Sequence, residues 1–297
     1  MPISPTARRR RLGIELRRLR EREQLTLLQV AQRMKCSDAK ISRIEAGKHS
    51  TRTRDVLALL DIYGVGDERT REVLGTLAKQ STQRGWWVTY GGAIPDWFEV
   101  YVGLESEATE IRTVETHLVP GLLQTEAYAA ALIRATQPLA PAEELTRQVE
   151  LRLARQRRLY EHDPMRLRVV LGEAVLRCRV GDDSVMRDQL GHLALLAERS
   201  NVELRLVRFG SPAYTAFGRP FAILGFTEPT DPGLVYTEHR TGALYIDEPA
   251  QIASFALAFD HLVAAALSRK ESVRLLRRRR PSGREEGRTL CGRTKAR

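Results

Sequence analysis

The sequence is poor in the features that mark disulfide-rich, zinc-binding and membrane proteins. Its three cysteines, Cys36, Cys178 and Cys291, lie far apart and form no CxxC or Cys/His cluster. This spacing predicts neither a disulfide framework nor a metal site. No apolar run is long enough to cross a membrane, and the first residues lack the apolar segment of a signal peptide. We therefore expect a cytoplasmic protein that uses no metal or other cofactor and does not bind a membrane.

Motifs of catalysis are also missing. The six histidines are scattered without an HExxH pattern, and no nucleophile motif surrounds Cys178. Gly64 and Gly66 lack the third glycine and the preceding strand of a nucleotide-binding loop. The Glu-His-Arg triplet at 238–240 is either a catalytic cluster or a solvated turn, and the turn is the favoured interpretation. We predict no catalytic residues, and an enzyme fused to a DNA-targeting domain is the least favoured alternative.

Lysine is scarce, with 6 lysines against 42 arginines. This skew is typical of a GC-rich genome, so a single arginine carries less functional information than usual. Residues 1–85 hold 19 Lys/Arg and 10 Asp/Glu, a net charge of +9, whereas residues 86–273 hold 19 and 25, a net of −6. Residues 274–297 hold 10 and 2. A basic N-terminal region suits DNA, whose binding is driven by counterion release, and an acidic middle region suits a protein or small ligand.

The most informative segment is 25–47, LTLLQVAQRMKCSDAKISRIEAG. Its pattern predicts two short helices joined by a tight turn, with Thr26 capping the first helix and Ser37 capping the second. Ile41 and Ile44 are three residues apart and face the core. The rest of the second helix then faces outward, as a recognition helix does in the major groove, and an ordinary helical hairpin is the alternative. The predicted base-reading residues are Asp38, Ala39, Lys40 and Arg43.

A further set of residues is predicted to contact phosphates. A polar turn at 49–54 precedes the next helix, and the free backbone N–H groups at a helix N-terminus favour a phosphate. Residues 7–11 form a short basic arm before a first helix expected at about 11–23. Contact with phosphates and solubilisation of a disordered end are equally weighted interpretations of that arm. The predicted phosphate contacts are Ser37, Ser42, Lys48, Arg52 and Arg54.

These residues also carry a family resemblance. Residues 12–62 resemble the Cro/C1-type (Xre-type) helix-turn-helix domain, most specifically in the motif ISRIEAG at 41–47. The resemblance implies a five-helix bundle and a structural ion pair between Arg20 and Glu45. Two positions depart from the family. Leu27 replaces a frequent glutamine that helps to hold DNA, and Lys35 replaces the usual glycine of a left-handed turn, at a cost of about 1 kcal/mol.

Beyond residue 96 the sequence alternates between helical and strand-like patterns. We expect helices at 96–104, 105–112, 126–135, 141–161, 185–199 and 249–267, and strands at 112–119, 167–171, 202–207, 221–226, 234–238 and 243–246. The predicted fold class is therefore an all-α N-terminal helix-turn-helix bundle followed by an α+β C-terminal domain with a mixed sheet. The predicted organisation is a DNA-binding domain at 1–80, a linker at 81–95, a partner-sensing or dimerisation domain at 96–273 and a disordered basic tail at 274–297.

The chain has only three tryptophans, and they cluster around the predicted linker. Trp86, Trp87 and Trp97 form either an aromatic cage for a ligand or a packing surface against the second domain. Packing is the favoured interpretation, because tryptophan is common in cores and interfaces.

The second domain carries a resemblance of its own. LESEA at 104–108 and VPGLLQT at 119–125, together with the pair Tyr214 and Phe217, resemble the C-terminal domain of antitoxin-like (WhiJ-like) regulators. That resemblance implies a regulator often encoded beside a small partner protein. We predict a transcriptional regulator that binds a double-stranded DNA operator as a homodimer, while its second domain binds a partner protein or ligand or dimerises. The alternative is the antitoxin of a two-gene module, which regulates its own genes and neutralises a small partner protein.

Overall fold

The N-terminal domain is a bundle of helices around its own apolar core. The computed structural model describes residues 5–47, 49–82, 85–90, 92–213, 218–227 and 231–278. The helices are α1 Pro5–Arg22, α2 Leu27–Arg33, α3 Asp38–Glu45, α4 Thr53–Ile62 and α5 Glu68–Ser81. Leu16, Ile41, Val56 and Leu60 are fully buried in the core that these helices share. The prediction of an all-α N-terminal domain is confirmed.

Helix α1 begins earlier than the sequence predicts. The segment 7–11, predicted to be a basic arm before the helix, lies inside α1. Pro5 stands at the first helical position, where its missing N–H costs no hydrogen bond, and arginine is a good helix former. No further proline lies within α1, and the first glycine, Gly13, comes two turns later. The prediction of an arm is therefore wrong, and its arginines are fixed on a helix.

The C-terminal domain is built on a mixed sheet of six strands. The strands are β1 Glu110–Glu115, β2 Arg166–Gly172, β3 Val202–Val207, β4 Phe221–Gly225, β5 Leu234–His239 and β6 Gly242–Ile246. Their order across the sheet is β3-β2-β1-β4-β5-β6. Strands β1, β2 and β3 run parallel, whereas β4, β5 and β6 each pair antiparallel with their neighbours. The prediction of a mixed sheet is confirmed.

Helices cover both faces of this sheet. They are α6 Asp96–Glu105, α7 Glu126–Thr136, α8 Ala142–Gln156, α9 Asp183–Leu196, α10 Pro249–Ala265 and α11 Arg269–Arg278. Side chains alternate between the two faces along each strand. On β2, Leu167 and Val169 join the larger core with residues of α6, α7, α9 and α11, whereas Val170 joins a smaller core with Phe259 of α10.

Two element boundaries differ from the prediction. The helix predicted at 105–112 does not form, since α6 ends at Glu105 and β1 begins at Glu110. Pairing of this segment between β2 and β4 outweighs its local helix propensity. At the other end, α11 carries the folded domain past residue 273, and Leu276 is fully buried. The remainder of the predicted disordered tail, 279–297, lies outside the described residues.

The described part of the predicted linker packs onto the second domain. Residues 86–90 form a short 3-10 helix, and Trp87 is buried against Val102 of α6 and Leu151 of α8. The Trp87 indole N–H also donates to a carboxylate oxygen of Glu99 at 3.3 Å. Trp97 packs at the edge of the larger core. These contacts agree with the packing interpretation of the tryptophans.

No single helix among the described residues is long and apolar enough to span a membrane, although α10 and α11 together reach that length and composition across a bend of 66°. Within the same residues, no group of His, Cys, Asp and Glu is placed to hold a metal ion. Cys36 and Cys178 are free thiols, and Cys291 lies outside the described residues.

Candidate nucleic-acid interface

Local hydrogen bonds fix the turn between α2 and α3. The backbone N–H of Gln29 donates to the Thr26 hydroxyl at 3.2 Å, and the Thr26 backbone N–H donates to the Gln29 side chain at 2.8 Å. Ser37 Oγ accepts a hydrogen bond from the backbone N–H of Lys40 at 3.2 Å, which caps α3. Lys35 has a φ of 50°, the left-handed conformation expected at this turn position. These contacts set the direction in which α3 leaves the turn.

Two glycines let α1 lie directly against the end of α3. A Cβ atom on Gly13 of α1 would collide with the carbonyl oxygen of Glu45, the last residue of α3. Gly47 has a φ of 65°, and a Cβ atom there would stand 2.7 Å from the Cα atom of Arg10. The Glu-x-Gly sequence at 45–47 therefore ends α3 and also allows this close helix contact.

An ion pair joins the same two helices. Arg20 Nε donates to Glu45 Oε1 at 2.7 Å, and Arg20 Nη2 donates to Glu45 Oε2 at 2.9 Å. Arg20 Nη1 also donates to the carbonyl oxygen of Leu25 at 2.8 Å. The side chains of Arg20 and Glu45 are only 11% and 6% exposed. The hydrogen bond with Glu45 raises the pKa of Arg20 although burial opposes its charge. The pair anchors the end of α3 to α1, and Arg20 also holds the segment that connects α1 to α2.

The outward face of α3 presents the residues predicted to read bases. Asp38, Ala39 and Arg43 are exposed, and Arg43 Nε donates to the carbonyl oxygen of Ala39 at 3.2 Å. Lys40 is half-buried, and its Nζ lies 3.5 Å from a carboxylate oxygen of Asp55 in α4. Among the described residues, no carboxylate lies within ion-pair distance of Arg43. Arg43 is therefore better placed than Lys40 to meet a ligand in its present rotamer.

The residues predicted to contact phosphates divide into three groups. Ser42 is exposed on α3, whereas the Ser37 hydroxyl is occupied as the cap of that helix. Arg52 and Arg54 are both exposed at the start of α4, and Arg54 Nε donates to Asp55 at 3.4 Å. Lys48 lies outside the described residues. The structure thus places Ser42, Arg52 and Arg54 on the surface, and Asp55 links Arg54 to Lys40 of α3.

Two arginines of the predicted arm contact protein. Arg8 is buried and its Nη1 donates to the carbonyl oxygen of Gln80 at 3.4 Å. Arg10 makes a bidentate pair with Asp231 of the second domain, at 2.6 and 3.2 Å, and the two side chains are 11% and 8% exposed. Arg10 also donates to the carbonyl oxygen of Gly233. Both interpretations of the arm, phosphate contact and a disordered end, are therefore wrong for Arg8 and Arg10.

Sequence reasoning missed Asp231 and Asp55. The Asp-Pro-Gly sequence at 231–233 does predict a turn, and the backbone N–H of Gly233 donates to Asp231 at 2.8 Å. However, Arg10 lies 221 residues away along the chain, and no periodicity relates such distant positions. In the sequence, Asp55 is an ordinary acidic residue in the first turn of a helix and shows no sign of a further contact. Its proximity to Lys40 depends on how α3 and α4 pack.

Helix, turn and helix around an apolar core define a helix-turn-helix DNA-binding protein. Comparison with known families agrees with this class, because residues 11–73 match a family described as "Helix-turn-helix domain". Residues 98–278, more than half of the chain, match a second family described as "Domain of unknown function (DUF5753)". The chain therefore belongs to the DUF5753 family and joins that domain to a DNA-binding domain. No curated protein and no solved structure matches the chain.

Proposed function

We propose that the chain is a transcriptional regulator of the Cro/C1 (Xre) type that reads an operator with α3. The observation that carries this proposal is the exposed face formed by Asp38, Ala39 and Arg43 on a helix that is capped and anchored at both ends. A side chain can distinguish bases only if its backbone is held in a fixed position relative to the groove. Arginine at such a position pairs with guanine through two hydrogen bonds.

Lys40 and the phosphate contacts complete the proposed interface. Lys40 reaches a base edge or a phosphate by exchanging its ion pair with Asp55, a small cost because the lysine side chain is about one-third exposed. Ser37, Ser42, Arg52 and Arg54 lie around the N-terminal ends of α3 and α4 or on the exposed side of α3. Contacts of this kind fix the register of a protein on the duplex without reading its sequence.

The DUF5753 domain is the regulatory part in this proposal. It binds a partner protein or a ligand or forms a homodimer, as the resemblance to antitoxin-like (WhiJ-like) regulators implies, and the protein acts in the cytoplasm without catalysing a reaction. The acidic charge of residues 86–273 supports this assignment, because an acidic domain is repelled by DNA. The Arg10–Asp231 contact connects the DUF5753 domain directly to α1 of the N-terminal DNA-binding domain. We call that domain, residues 1–85, the reader.

Single alanine substitutions in the full chain test the assignment. Arg43→Ala should weaken binding to the selected operator by about 1–3 kcal/mol and relax the preference at one base pair, and Lys40→Ala should act in the same direction. Arg52→Ala should weaken binding to all sequences alike. Arg179→Ala is the matched control, since it removes an arginine that is also exposed but lies in the second domain. The measurement is selection of binding sites from a random DNA library, followed by titration of the selected site.

The profile of selected DNA sites shows whether α3 reads bases, and the titrations show whether Arg52 contacts phosphates. If Arg43→Ala and Lys40→Ala leave the profile unchanged, α3 does not read bases and the proposal fails. If Arg179→Ala weakens binding as much as Arg52→Ala, the effect reflects overall charge and the phosphate assignment fails.

A further inference from the structure

The C-terminal domain contains a cavity of about 150 Å³ between its sheet and helices α6 and α8. Thr113 of β1, Ala222 of β4 and Tyr236 of β5 are register partners in one row across its floor. Ala222 is the small residue between two larger ones, so the floor is hollow at its centre. A water occupies about 30 Å³ in the liquid, so the cavity has room for roughly five waters or a small organic molecule.

In one wall of the cavity, the charged side chains of Arg155 and Glu105 pair with each other. Arg155 of α8 makes a bidentate ion pair with Glu105 of α6 at 2.6 and 2.7 Å, and both side chains are buried. The Arg155 guanidinium also lies over the rings of Phe98 and Tyr101, 5.0 and 5.6 Å from their centres. Although burial disfavours the charge of Arg155, Glu105 raises its pKa. These groups satisfy one another and leave no charge for a ligand.

The other polar groups of the cavity are not paired in this way. Glu115 at the end of β1 is half-buried, and its side-chain carboxyl forms no hydrogen bond or ion pair with any described residue. Glu238 of β5 accepts a hydrogen bond from the Tyr236 hydroxyl at 2.9 Å. It forms no ion pair within 4 Å with a described residue, although its negative charge acts on Arg152. Arg152 of α8 donates to the neutral side chain of Gln124 at 2.8 Å, and no described carboxylate lies within ion-pair distance of it.

The pKa values of Glu115 and Arg152 are shifted from their ordinary values. Burial, together with the negative charge of Glu238, raises the pKa of Glu115 to about 8. Burial, together with the positive charge of Arg155, lowers the pKa of Arg152 to about 10, although the negative charges of Glu238 and Glu105 oppose this change. Glu115 thus keeps its proton near pH 7 in the unliganded protein. An ammonium group beside Glu115 favours its ionised form, and a carboxylate beside Arg152 favours the charged guanidinium. The cavity therefore favours a ligand that supplies both charges.

We propose that this cavity binds a small zwitterion of the amino-acid type, with its ammonium group between Glu115 and Glu238 and its carboxylate on Arg152. An anion alone would meet the acidic side chains of Glu115 and Glu238, and a cation alone would meet the guanidinium of Arg152. The cavity also lacks the ligands for a metal ion, because no group of three or more His, Cys, Asp or Glu side chains among the described residues is placed to hold one. The hydrocarbon part of the ligand lies against the aromatic rings of Phe98 and Tyr101.

The cavity shares two structural elements with the contact to the reader. Strand β5, which carries Tyr236 and Glu238, begins directly after Gly233, the residue whose carbonyl oxygen accepts from Arg10. Helix α6, which carries Tyr101 and Glu105, lies against α1. Ligand binding at the cavity can therefore change the position of α1. This effector role rests on the regulator function proposed above, whereas the binding itself does not.

Binding is tested on the full chain without DNA. The probes are free L-amino acids at millimolar concentration, each compared with its N-acetyl derivative, which lacks the ammonium group, and with the corresponding amine, which lacks the carboxylate. The readouts are the melting temperature and isothermal titration calorimetry. We expect at least one amino acid to raise the melting temperature, and both of its derivatives to bind roughly tenfold or more weakly, because each loses one charged contact. Failure of every amino acid to bind, or equal binding of either derivative, overturns the proposal.

Variants then locate the site. Glu115→Gln and Arg152→Gln should each weaken amino-acid binding by roughly tenfold or more. The matched controls are Glu150→Gln and Arg157→Gln, exposed positions on or just after α8 that make the same changes of charge. If both cavity variants bind the amino acid as tightly as the controls, the site lies elsewhere and the assignment is wrong.

The comparison of derivatives uses the unaltered protein, so it decides the proposal even if a variant fails to fold. DNA affinity is measured separately, so failure of the cavity and failure of the reader are distinguishable.

Discussion

The two domains use the same interaction for different ends. Each contains a bidentate Arg–Glu ion pair with little exposure, Arg20–Glu45 in the reader and Arg155–Glu105 in the DUF5753 domain. In the reader the pair ties two helices together, and the basic residues around it remain on the surface. In the DUF5753 domain the pair forms one wall of a cavity whose other charged side chains form no ion pair with a described residue. A buried ion pair therefore does not by itself identify a functional site.

The domains also differ in net charge, +9 for residues 1–85 and −6 for residues 86–273. They are nevertheless joined by a contact between opposite charges, because Arg10 of the reader pairs with Asp231 of the acidic domain. Part of the basic charge in the first helix thus serves the contact between domains. The net charge of a region indicates its class of partner but does not assign a role to each of its side chains.

The largest expected effect concerns assembly on DNA. If the DUF5753 domain dimerises the protein, linking two readers makes the second half-site contact intramolecular, and the full chain should bind a two-half-site operator about 10²–10⁴-fold more tightly than residues 1–85. Sedimentation and DNA titration of both proteins measure this difference, with circular dichroism to verify that the fragment folds. Equal affinity and equal sedimentation behaviour would remove assembly from the roles of the second domain.

Arg20→Ala should have the next largest effect and should act on the reader alone. It leaves Glu45 buried without its partner, which costs about 3–5 kcal/mol of unfolding free energy. Arg17→Ala is the control, because its pair with Glu21 is more than half exposed and contributes about 0–1 kcal/mol. Chemical denaturation measures the loss of unfolding free energy, and hydrogen exchange of the folded protein shows whether α3 is affected. Equal stability of the two variants would contradict a structural role for the Arg20–Glu45 pair.

Arg10→Ala should loosen the contact between domains at a cost of roughly 1.5–3 kcal/mol, because Asp231 loses a charged hydrogen-bond partner. Hydrogen exchange should become faster in the first turns of α1 and at the start of β5. Arg18→Ala, at an exposed position of the same helix, is the control. Unchanged exchange in both segments would show that the domains do not depend on this pair.

The fourth expected effect is a dependence of stability on pH. The pKa of Glu115 is raised from an ordinary 4.5 to about 8, so the folded chain holds a proton that the unfolded chain releases. The unliganded protein should therefore lose stability as pH rises from about 4.5 to about 8. Glu115→Gln removes this loss, and its melting temperature relative to the unaltered protein should increase over that range. Glu150→Gln serves as control, and parallel pH profiles for all three proteins would exclude an unpaired Glu115.

Local sequence patterns predicted much of the reader. Thr26 and Ser37 cap their helices as their positions indicate, and Lys35 adopts the left-handed conformation of the turn. Such features depend on neighbours within a few residues, so the sequence contains the necessary information. The strands of the second domain were also recognisable from their apolar patterns. The sequence did not predict the order of those strands or the early start of β1 at Glu110.

The sequence by itself determined the helix-turn-helix, the α+β class of the second domain and the separation of basic from acidic regions. Only the tertiary structure brought Arg10 to Asp231, Lys40 to Asp55, and Glu115 and Arg152 to one cavity. The physical reason is the range of the interactions. Helix caps and turns form between residues a few positions apart, whereas these pairs form only after the sheet and helices have packed. Charges that remain unpaired after such packing are therefore visible in the structure and not in the sequence.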